Sequence, residues 1–442
     1  GPAASPGLPR RPPLHPFHRG PGLPAPRSED AMTRFLHTSD WHLGANLETV
    51  SRERDHALFL DWLAGVIEER EVDVLLVAGD VFDQAQPSAE AQRAYYQFLH
   101  RIAGKRLRKV VIVGGNHDSP SRLDAPRELL DALSVHVVGG LLAAPETWDR
   151  CLCPIPGADG EIEAVVLAVP FVHEFRLGVR TALADSATVA AQFRERFAAL
   201  YTELADRAER LAPGRPIVAT GHLTCGAANR EDAPAEIHLV GTIGALPADI
   251  FDPRIRYVAL GHIHRSYPVC GGRGWYSGSP IALDRTEART GRKVLLVDID
   301  DAGAPKVEPL PVPETRAIHE LSGTLPEVAD RLRALSWSGE LPPFVYAQIQ
   351  ADYVPAGAEA QLHEAAEKNP YGVPCLVQVR RALQQAACAQ PEDDAPPPLS
   401  ELEPEDVFRR LCAERNVELD DGLLNAFRAV AEDEDESEEA AR

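Results

Sequence analysis

Five short apolar runs in this sequence each end in a polar side chain that can bind a metal ion or move a proton. The run at 110–113, for example, passes through two glycines into Asn116, His117 and Asp118. If such runs are strands of a parallel sheet, the loops beyond their carboxyl ends line the binding crevice. These groups are therefore expected to meet in one site. The polar groups that follow the five runs are Asp40 and His42, Asp80 and Asp83, Asn116 to Asp118, His222, and His262 with His264.

The order of the elements indicates an α/β fold. Between the first two runs, Phe59, Leu63, Val66 and Ile67 recur at the spacing of one helix face. Strands that alternate with helices form a layered core with the helices outside. Other strands are expected around 164–170, 216–222, 255–261 and 293–299, and helices across 89–102, 121–133 and 187–211.

The pattern of predicted elements changes after residues 308–315. Beyond them, strand patterns at 316–321, 343–350 and 373–380 enclose two helical patterns. This predicts a small β-α-β-α-β unit. At 442 residues the chain is long enough for two or three units. The expected divisions are a disordered leader or expression remnant (1–31), a large α/β domain (32–312), the small unit (313–385), a linker (386–400), two amphipathic helices (401–431) and an acidic tail (432–442).

Charge and composition exclude several classes of protein. The net charge is −22, and residues 391–442 contribute −13 of it, so bulk electrostatics does not favour nucleic acid. A phosphate-bearing substrate would need bound cations or a basic partner. No apolar run reaches the roughly 18 residues of a membrane span. The seven cysteines are an odd number without a C-x-x-C pair, which favours free thiols in a reducing cytosol.

The donor types at the five strand ends suit a pair of divalent metals. Carboxylate, amide oxygen and imidazole favour manganese, iron or zinc over an ion that prefers thiolates. Two metals about 3.5–4 Å apart need a shared ligand, for which a carboxylate is suited. A single strand-end Asp or His is more often a turn or capping residue, which is how we interpret His100, His136, His319 and His363. Five such ends together predict a two-metal centre.

The ordered set D-x-H, G-D-x-x-D, G-N-H-D, G-H and G-H-x-H resembles the calcineurin-like metallophosphoesterase superfamily. Within it, "FLHTSDWHLG", "LLVAGDVFD", "VGGNHDS", "ALGHIHR" and "SGSPIALD" are similar to SbcD, the family of nuclease subunits of bacterial SbcCD complexes. The resemblance covers roughly residues 34–381. It implies a four-layer sandwich of two central mixed sheets flanked by helices, with a small α+β capping domain.

The resemblance also implies roles for the strand-end residues. His117 would face the scissile phosphate and help the leaving oxygen depart, and Asp118 would orient it. Asp83 stands where archaeal and eukaryotic relatives have a second histidine, and a structural hydrogen bond is the favoured role. The implied ligands are Asp40, His42, His264 and the bridging Asp80 for one metal, and Asp80, Asn116, His222 and His262 for the other.

The implied activity is that of a manganese-dependent DNA nuclease, with magnesium, iron and zinc as other possible metals. It would degrade duplex ends 3′ to 5′ and cut single strands and hairpins, with an SbcC-type ATPase, in DNA repair, recombination and replication. It would be cytoplasmic and nucleoid-associated. A homodimer through helices around 89–102 and 121–133 would give a 2:2 complex. The residues expected to dock on the ATPase, rather than pack back on the nuclease, are Phe408, Leu411, Leu423, Leu424 and Phe427.

Three other functions share parts of this pattern. Protein phosphatases of this superfamily clamp substrate with arginines where this chain has Gln84 and Gly114. A catalytically silent scaffold normally loses ligands, whereas all seven are present here. A small-molecule phosphodiesterase shares the same site chemistry and stays open.

Overall fold

Two six-stranded β-sheets pack face to face and share an apolar core. The computed structural model of the chain describes residues 33–104, 106–157, 159–179, 186–226, 245–299, 305–351 and 354–381, and Leu424. Between the sheets lie side chains of both, such as Val111 and Leu295 of the first and Val218 and Tyr257 of the second, all fully buried. The two sheets therefore share one apolar core.

The strands are β1 Thr33–Thr38, β2 Asn46–Leu47, β3 Val50–Ser51, β4 Val74–Ala78, β5 Lys109–Val113, β6 Val135–Val138, β7 Leu152–Pro156, β8 Ile162–Leu167, β9 Ile217–His222, β10 Ile255–Gly261, β11 Tyr267–Val269, β12 Gly274–Tyr276, β13 Lys293–Ile299, β14 Lys306–Pro311, β15 Ile318–Gly323, β16 Phe344–Ile349 and β17 Cys375–Arg381. The α-helices are α1 Glu53–Glu69, α2 Ala89–Ile102, α3 Pro120–Asp124, α4 Arg127–Asp131, α5 Ser186–Leu211, α6 Leu325–Ala334 and α7 Ala358–Glu367.

Both large sheets have parallel centres, with antiparallel strands at one edge of the first sheet and at both edges of the second. The first has the order β14-β13-β1-β4-β5-β6, with β1, β4, β5 and β6 parallel. The second has the order β11-β12-β10-β9-β8-β7, with β12, β10, β9 and β8 parallel. Parallel strands covered on both faces are apolar throughout, as the fully buried β4 shows. Within each sheet, the carboxyl ends of the parallel strands therefore share one edge.

Helices cover the outer faces of the two sheets. The apolar face of α1, including Phe59 and Leu63, packs with Phe98 of α2 against the first sheet. Helix α5 buries Phe197 and Tyr201 against the second sheet. The order helix, sheet, sheet, helix confirms the predicted α/β sandwich of mixed sheets.

A smaller sheet of three parallel strands, β15-β16-β17, forms the β-α-β-α-β unit expected from the sequence. Helices α6 and α7 cover one of its faces. The other face presents Phe344 and Tyr346, which pack with Leu47 of the β2–β3 hairpin. Because this hairpin follows His42 by only a few residues, the small sheet lies on the segment that also carries a predicted metal ligand.

A buried ionic cluster joins the small sheet to α1. Asp55 is fully buried and lies 3.3 Å from Arg52 and 3.5 Å from Arg316. The guanidinium carbons of Arg52 and Arg316 lie 5.2 and 4.3 Å from the centre of the Phe344 ring. One carboxylate thus holds two cations against an aromatic face, a geometry that favours a fixed joint.

Some local predictions were wrong. The helix expected at 121–133 is two short helices, α3 and α4, because Pro126 interrupts the hydrogen-bond ladder between them. Residues 308–315, interpreted as a boundary, begin inside strand β14. Strands β6, β7, β11 and β12 were not predicted, and all four lie at or next to a sheet edge, where the apolar pattern is short.

Residues 383–442 separate from residues 1–382 as a second unit. Within it only Leu424, which is helical and buried, is described. The predicted leader, linker, acidic tail and other ATPase-docking residues lie outside the described part of the chain. Among the helices that the structure describes, none combines the length and apolarity needed to cross a membrane.

His37 forms a polar link between the two large sheets. Its Nδ1 lies 2.9 Å from the Tyr257 hydroxyl and its Nε2 lies 3.2 Å from the Leu260 carbonyl oxygen, both on β10. Burial lowers the pKa of His37 from 6.5 to about 3, although the bond to Leu260 opposes the shift. The ring is therefore neutral in the folded protein at any pH above this value.

We predict that His37 makes the protein acid-sensitive. Because the folded-state pKa lies below 6.5, its contribution to stability is complete above that pH and is lost as pH falls toward 3. In chelator-treated protein, His37→Gln should lower the slope of unfolding free energy against pH, between pH 6 and 4, by about 1.4 kcal/mol per unit. Chemical denaturation at several pH values measures this. The exposed His100 gives the control His100→Gln, and an unchanged slope in His37→Gln would contradict the prediction.

Candidate metal centre

The segments that follow β1 and β4 are hydrogen-bonded to each other. The Asp40 N–H donates to the Gly79 carbonyl and the His42 N–H donates to the Asp80 carbonyl, each at 3.0 Å. Asp40, His42 and Asp80 all have positive φ angles, of 52°, 47° and 49°. Non-glycine residues in this left-handed region are costly and cluster at functional sites. The backbone thus accepts strain to turn these side chains toward one point.

Two glycines permit the close approach of the loops. A Cβ at Gly115 would overlap the Asp80 carboxylate, and one at Gly261 would overlap the Ala78 carbonyl oxygen. Glycine at 115 therefore lets the loop after β5 approach the loop after β4, and glycine at 261 lets the strand ends of the two sheets come together. This explains why glycine stands so near the polar residues at the ends of β5 and β10.

The structure brings all seven predicted ligands into one cluster. Donor atoms of Asp40, His42 and His264 lie within 4.8 Å of one another, as do those of Asp40, Asp80 and His222. Asp80 Oδ2 lies 3.5 Å from His42 Nε2 and 3.3 Å from His222 Nε2, so this oxygen stands between the two halves.

The amide of Asn116 completes the second half of the cluster. Its Oδ1 lies 3.0 Å from His222 Nε2 and 3.0 Å from His262 Nδ1. Four imidazoles, two carboxylates and one amide oxygen therefore converge. Such a set suits two borderline divalent cations with the Asp80 carboxylate shared.

The histidines are oriented in the way that metal-binding histidines usually are. His42 Nδ1 lies 3.2 Å from the Asp83 carboxylate, His222 Nδ1 lies 2.8 Å from the Ala78 carbonyl oxygen, and His264 Nδ1 lies 2.7 Å from the Glu287 carboxylate. Each partner holds one ring nitrogen and leaves Nε2 for the centre. His42 Nε2 is buried and has no hydrogen-bond partner. A metal ion would satisfy it, so the residues present fit the predicted group.

The charges of the site favour bound cations. Burial lowers the pKa of His222, but the charge of Asp80 and its hydrogen bond outweigh burial and raise that pKa to about 9. Burial also lowers the pKa of His264, and the bond to Glu287 raises it to about 9. For Asp80, burial raises the pKa, yet the charges of His222 and His42 hold it below the usual range. The carboxylates thus stabilise positive charge at this point.

His117 lies at the exposed side of the cluster. Its ring is 4.8 Å from that of His42, and its Nδ1 lies 2.8 Å from the Asp83 carbonyl oxygen. Its backbone N–H donates to Asp80 Oδ1 at 2.9 Å. Asp83 therefore contacts both His42 and His117, the first through its carboxylate and the second through its carbonyl oxygen. This agrees with the hydrogen-bonding role that the sequence favoured for it.

Asp118 differs from expectation. Instead of orienting the His117 ring, its carboxylate accepts hydrogen bonds from the backbone N–H groups of Val81, Phe82 and Gly115, at 2.9–3.0 Å. It is 6% exposed and braces the two loops that carry Asp80 and Asn116. Burial and the charge of Asp80 raise the pKa of Asp118 to about 6, against the effect of these N–H donors. Asp118 is therefore a positioning residue, because its contacts are with backbone.

Glu287 is a site residue that sequence reasoning missed. Besides His264, its carboxylate accepts from Ser279, from the Leu283 N–H and from Arg292, at 3.0–3.1 Å. It belongs to the short helical turn at Glu287–Arg289 and follows no strand. Glu287 belongs to no motif with a characteristic spacing. The one sequence signal for it is its position shortly after the stretch "SGSPIALD".

Comparison with known families decides the class of the protein. The model of the calcineurin-like phosphoesterase family matches residues 33–266. The chain belongs to this family. Residues 314–416 match a second model, described as the type 5 capsule protein repressor C-terminal domain. This calcineurin-like phosphoesterase is a metal-dependent phosphodiesterase.

Individual relatives show which group of calcineurin-like phosphoesterases this chain resembles. The chain is 38% identical over 390 residues to the D component of the SbcCD nuclease from Rhodobacter capsulatus, covering 85% of this chain and 93% of the relative. It is 33% identical over 393 residues to the same component of the SbcCD nuclease from Escherichia coli K12, covering 86% and 92%. The protein of that name from Bacillus subtilis 168 is 33% identical over 276 residues, covering 60% and 66%. The phosphoesterase thus belongs with the SbcD components of SbcCD nucleases.

We predict that Glu287 strengthens metal binding through His264. Glu287→Gln keeps the shape of the side chain but removes the charge that holds the His264 tautomer, so manganese affinity should fall about 10- to 100-fold. Calorimetric titration of chelator-treated protein with MnCl₂ measures the affinity. Glu340→Gln, at an exposed glutamate, is the matched control. An unchanged affinity in Glu287→Gln would show that Glu287 has no part in the metal centre.

Proposed function

We propose that this phosphoesterase is a manganese-dependent DNA nuclease, which degrades duplex ends 3′ to 5′ and cuts single strands and hairpins during DNA end processing. The observation that carries the proposal is the position of Asp80 Oδ2 between His42 and His222, with His117 beside it. A shared carboxylate beside an exposed histidine is the arrangement that two-metal phosphodiester cleavage needs. Relatives named as nuclease subunits support DNA as the substrate.

The proposed ligands divide between two cations. We assign Asp40, His42, His264 and Asp80 to one, and Asp80, Asn116, His222 and His262 to the other. When bound, the ions polarise the phosphate and supply a hydroxide nucleophile near neutral pH. Manganese is the favoured ion because oxygen and imidazole donors are mixed without a thiolate. These cations also compensate for a chain of net charge −22 that binds a polyanion.

We assign the general acid to His117. The Asp83 carbonyl oxygen fixes its Nδ1, which leaves Nε2 to donate a proton to the departing oxygen. The exposed position of the ring lets it reach a phosphate that enters from solvent. Asp118 acts through the backbone N–H groups that it binds. Among the hydrogen bonds of the described residues, none joins its carboxylate to the His117 ring.

The alternative substrate is a small phosphodiester, since the cluster itself would serve either. Two features favour a macromolecule. The β15–β17 unit packs on the hairpin that follows His42, and we propose that residues 313–385 form a domain that guides DNA over the nuclease domain at 32–312. The Asp55 cluster also joins this unit to α1, which gives it a second attachment to the nuclease domain.

A labelled duplex tests the proposal. Purified protein with MnCl₂ should shorten a linear duplex labelled at its 5′ ends into a ladder, and His117→Ala should slow this about 10²- to 10⁴-fold. Calorimetry should show that His117→Ala still binds manganese, which separates catalysis from metal loss. Bis(p-nitrophenyl) phosphate is assayed in parallel. Hydrolysis of this compound together with inactivity on every DNA form would contradict the nuclease and favour a small substrate.

We also propose a partner and an assembly. The protein would act in the cytoplasm on nucleoid DNA, as a homodimer through the helices around 89–102 and 121–133, with an SbcC-type ATPase in a 2:2 complex. Support comes from relatives named as subunits of SbcCD, and from Leu129 of α4, which is 75% exposed.

Docking on the ATPase is assigned to Phe408, Leu411, Leu423, Leu424 and Phe427, as two amphipathic helices that lie in a groove. A chain ending at Gln390 should therefore fail to co-purify with its ATPase while remaining a dimer in sedimentation. Retention of the ATPase by the truncated chain would refute the docking site. A monomer at micromolar concentration would refute the dimer.

A further inference from the structure

The loop after β8 carries an exposed aromatic residue, Phe175, that is linked to the predicted ligand His222 through two intervening rings. β8 neighbours β9, whose end supplies His222, yet β8 itself ends without a predicted ligand. Its loop reads Phe-Val-His-Glu-Phe-Arg over residues 171–176. Phe175 is 61% exposed, which is unusual for a phenylalanine.

The loop is anchored, so the exposure of Phe175 is a feature of its fold. The Phe171 N–H donates to the Gly114 carbonyl at 2.8 Å, at the end of the strand that carries Asn116. Val172 and Leu177 are buried in the core between the sheets. These contacts fix both ends of the segment and leave the phenyl ring of Phe175 turned outward.

A series of rings runs from the metal centre to this surface. Phe171 lies edge-on to His222 with ring centres 6.3 Å apart, and His173 lies edge-on to Phe171 at 4.9 Å. Phe175 then stacks on His173, with the rings 17° from parallel and 5.4 Å apart. The Arg176 guanidinium carbon lies 5.0 Å from the centre of the Phe175 ring.

We propose that Phe175, with His173 and Arg176, is a stacking platform for an unpaired nucleobase of the DNA strand whose phosphate lies at the metals. The inference rests on the proposed nuclease function and deepens it. Aromatic rings and arginine planes are the groups on which proteins stack unpaired bases, without regard to sequence. Stacking also gives an acidic protein a way to hold DNA that does not depend on positive charge.

The surroundings of Phe175 favour a base over an apolar protein segment. Its neighbours along the loop are His173, Glu174 and Arg176, so one exposed apolar side chain lies among polar and charged groups. A protein groove needs a broader apolar patch. A nucleobase is flat and aromatic with polar edges, and it matches one ring with hydrogen-bonding groups around it.

The test combines side-chain and base removal. Cleavage of a single-stranded oligonucleotide with MnCl₂ is measured for wild type, Phe175→Leu, which is apolar without a ring, and Phe175→Tyr, which keeps the ring. Each protein also receives oligonucleotides with one abasic residue placed at successive positions from the cleavage site. Leu211→Ala removes an exposed apolar side chain at the end of α5 and is the control.

Phe175→Leu should lower kcat/KM for DNA, relative to that for bis(p-nitrophenyl) phosphate, about tenfold, chiefly through KM. Phe175→Tyr and Leu211→Ala should resemble wild type. In the wild type, an abasic residue at one position should lower kcat/KM for DNA by a similar factor. In Phe175→Leu, the same abasic residue should leave kcat/KM almost unchanged. Equal abasic penalties in both proteins, or DNA cleavage by Phe175→Leu at the wild-type rate, would overturn the platform. Wild-type hydrolysis of the small phosphodiester without DNA cleavage would instead overturn the proposed function and the platform with it.

Discussion

The site depends on one buried carboxylate, that of Asp80. It is 1% exposed, and its surroundings are two imidazoles and the backbone N–H of His117. A buried charge is stable only when opposite charge or hydrogen bonds compensate for it. The chain supplies these from strands of both large sheets, which explains why their ends must approach so closely. The glycines at 115 and 261 and the left-handed backbone of Asp40, His42 and Asp80 follow from this requirement.

The same requirement relates the fold to the chemistry. Parallel strands place their carboxyl ends at one edge, and the core between the sheets brings two such edges together. His222 and His262 come from the second sheet, whereas Asp80 and Asn116 come from the first. Neither sheet alone holds a complete set for either proposed cation. Asp118 and Glu287 brace this junction, the first through backbone N–H groups and the second through His264.

The central strands and the convergence of the seven polar side chains were predictable because each apolar run stops at a polar residue, and this pattern is local in the sequence. Helices α1 and α2 were predictable from their apolar spacing. The role of Asp118 was not, because its partners are backbone N–H groups that carry no sequence signal. Glu287 lies 23 residues from His264 and meets it only through the fold. The short edge strands were also not predicted, because each contains too few apolar residues to give a clear strand pattern.

Manganese stoichiometry tests the central claim, a two-metal centre that shares Asp80, most directly. Equilibrium dialysis counts the ions bound to chelator-treated wild type and to Asp80→Asn, with circular dichroism to confirm that the variant is folded. A shared carboxylate predicts two tightly bound ions per wild-type chain, and loss of tight binding at both positions in Asp80→Asn. One ion per wild-type chain, or one tight site retained in folded Asp80→Asn, would contradict it.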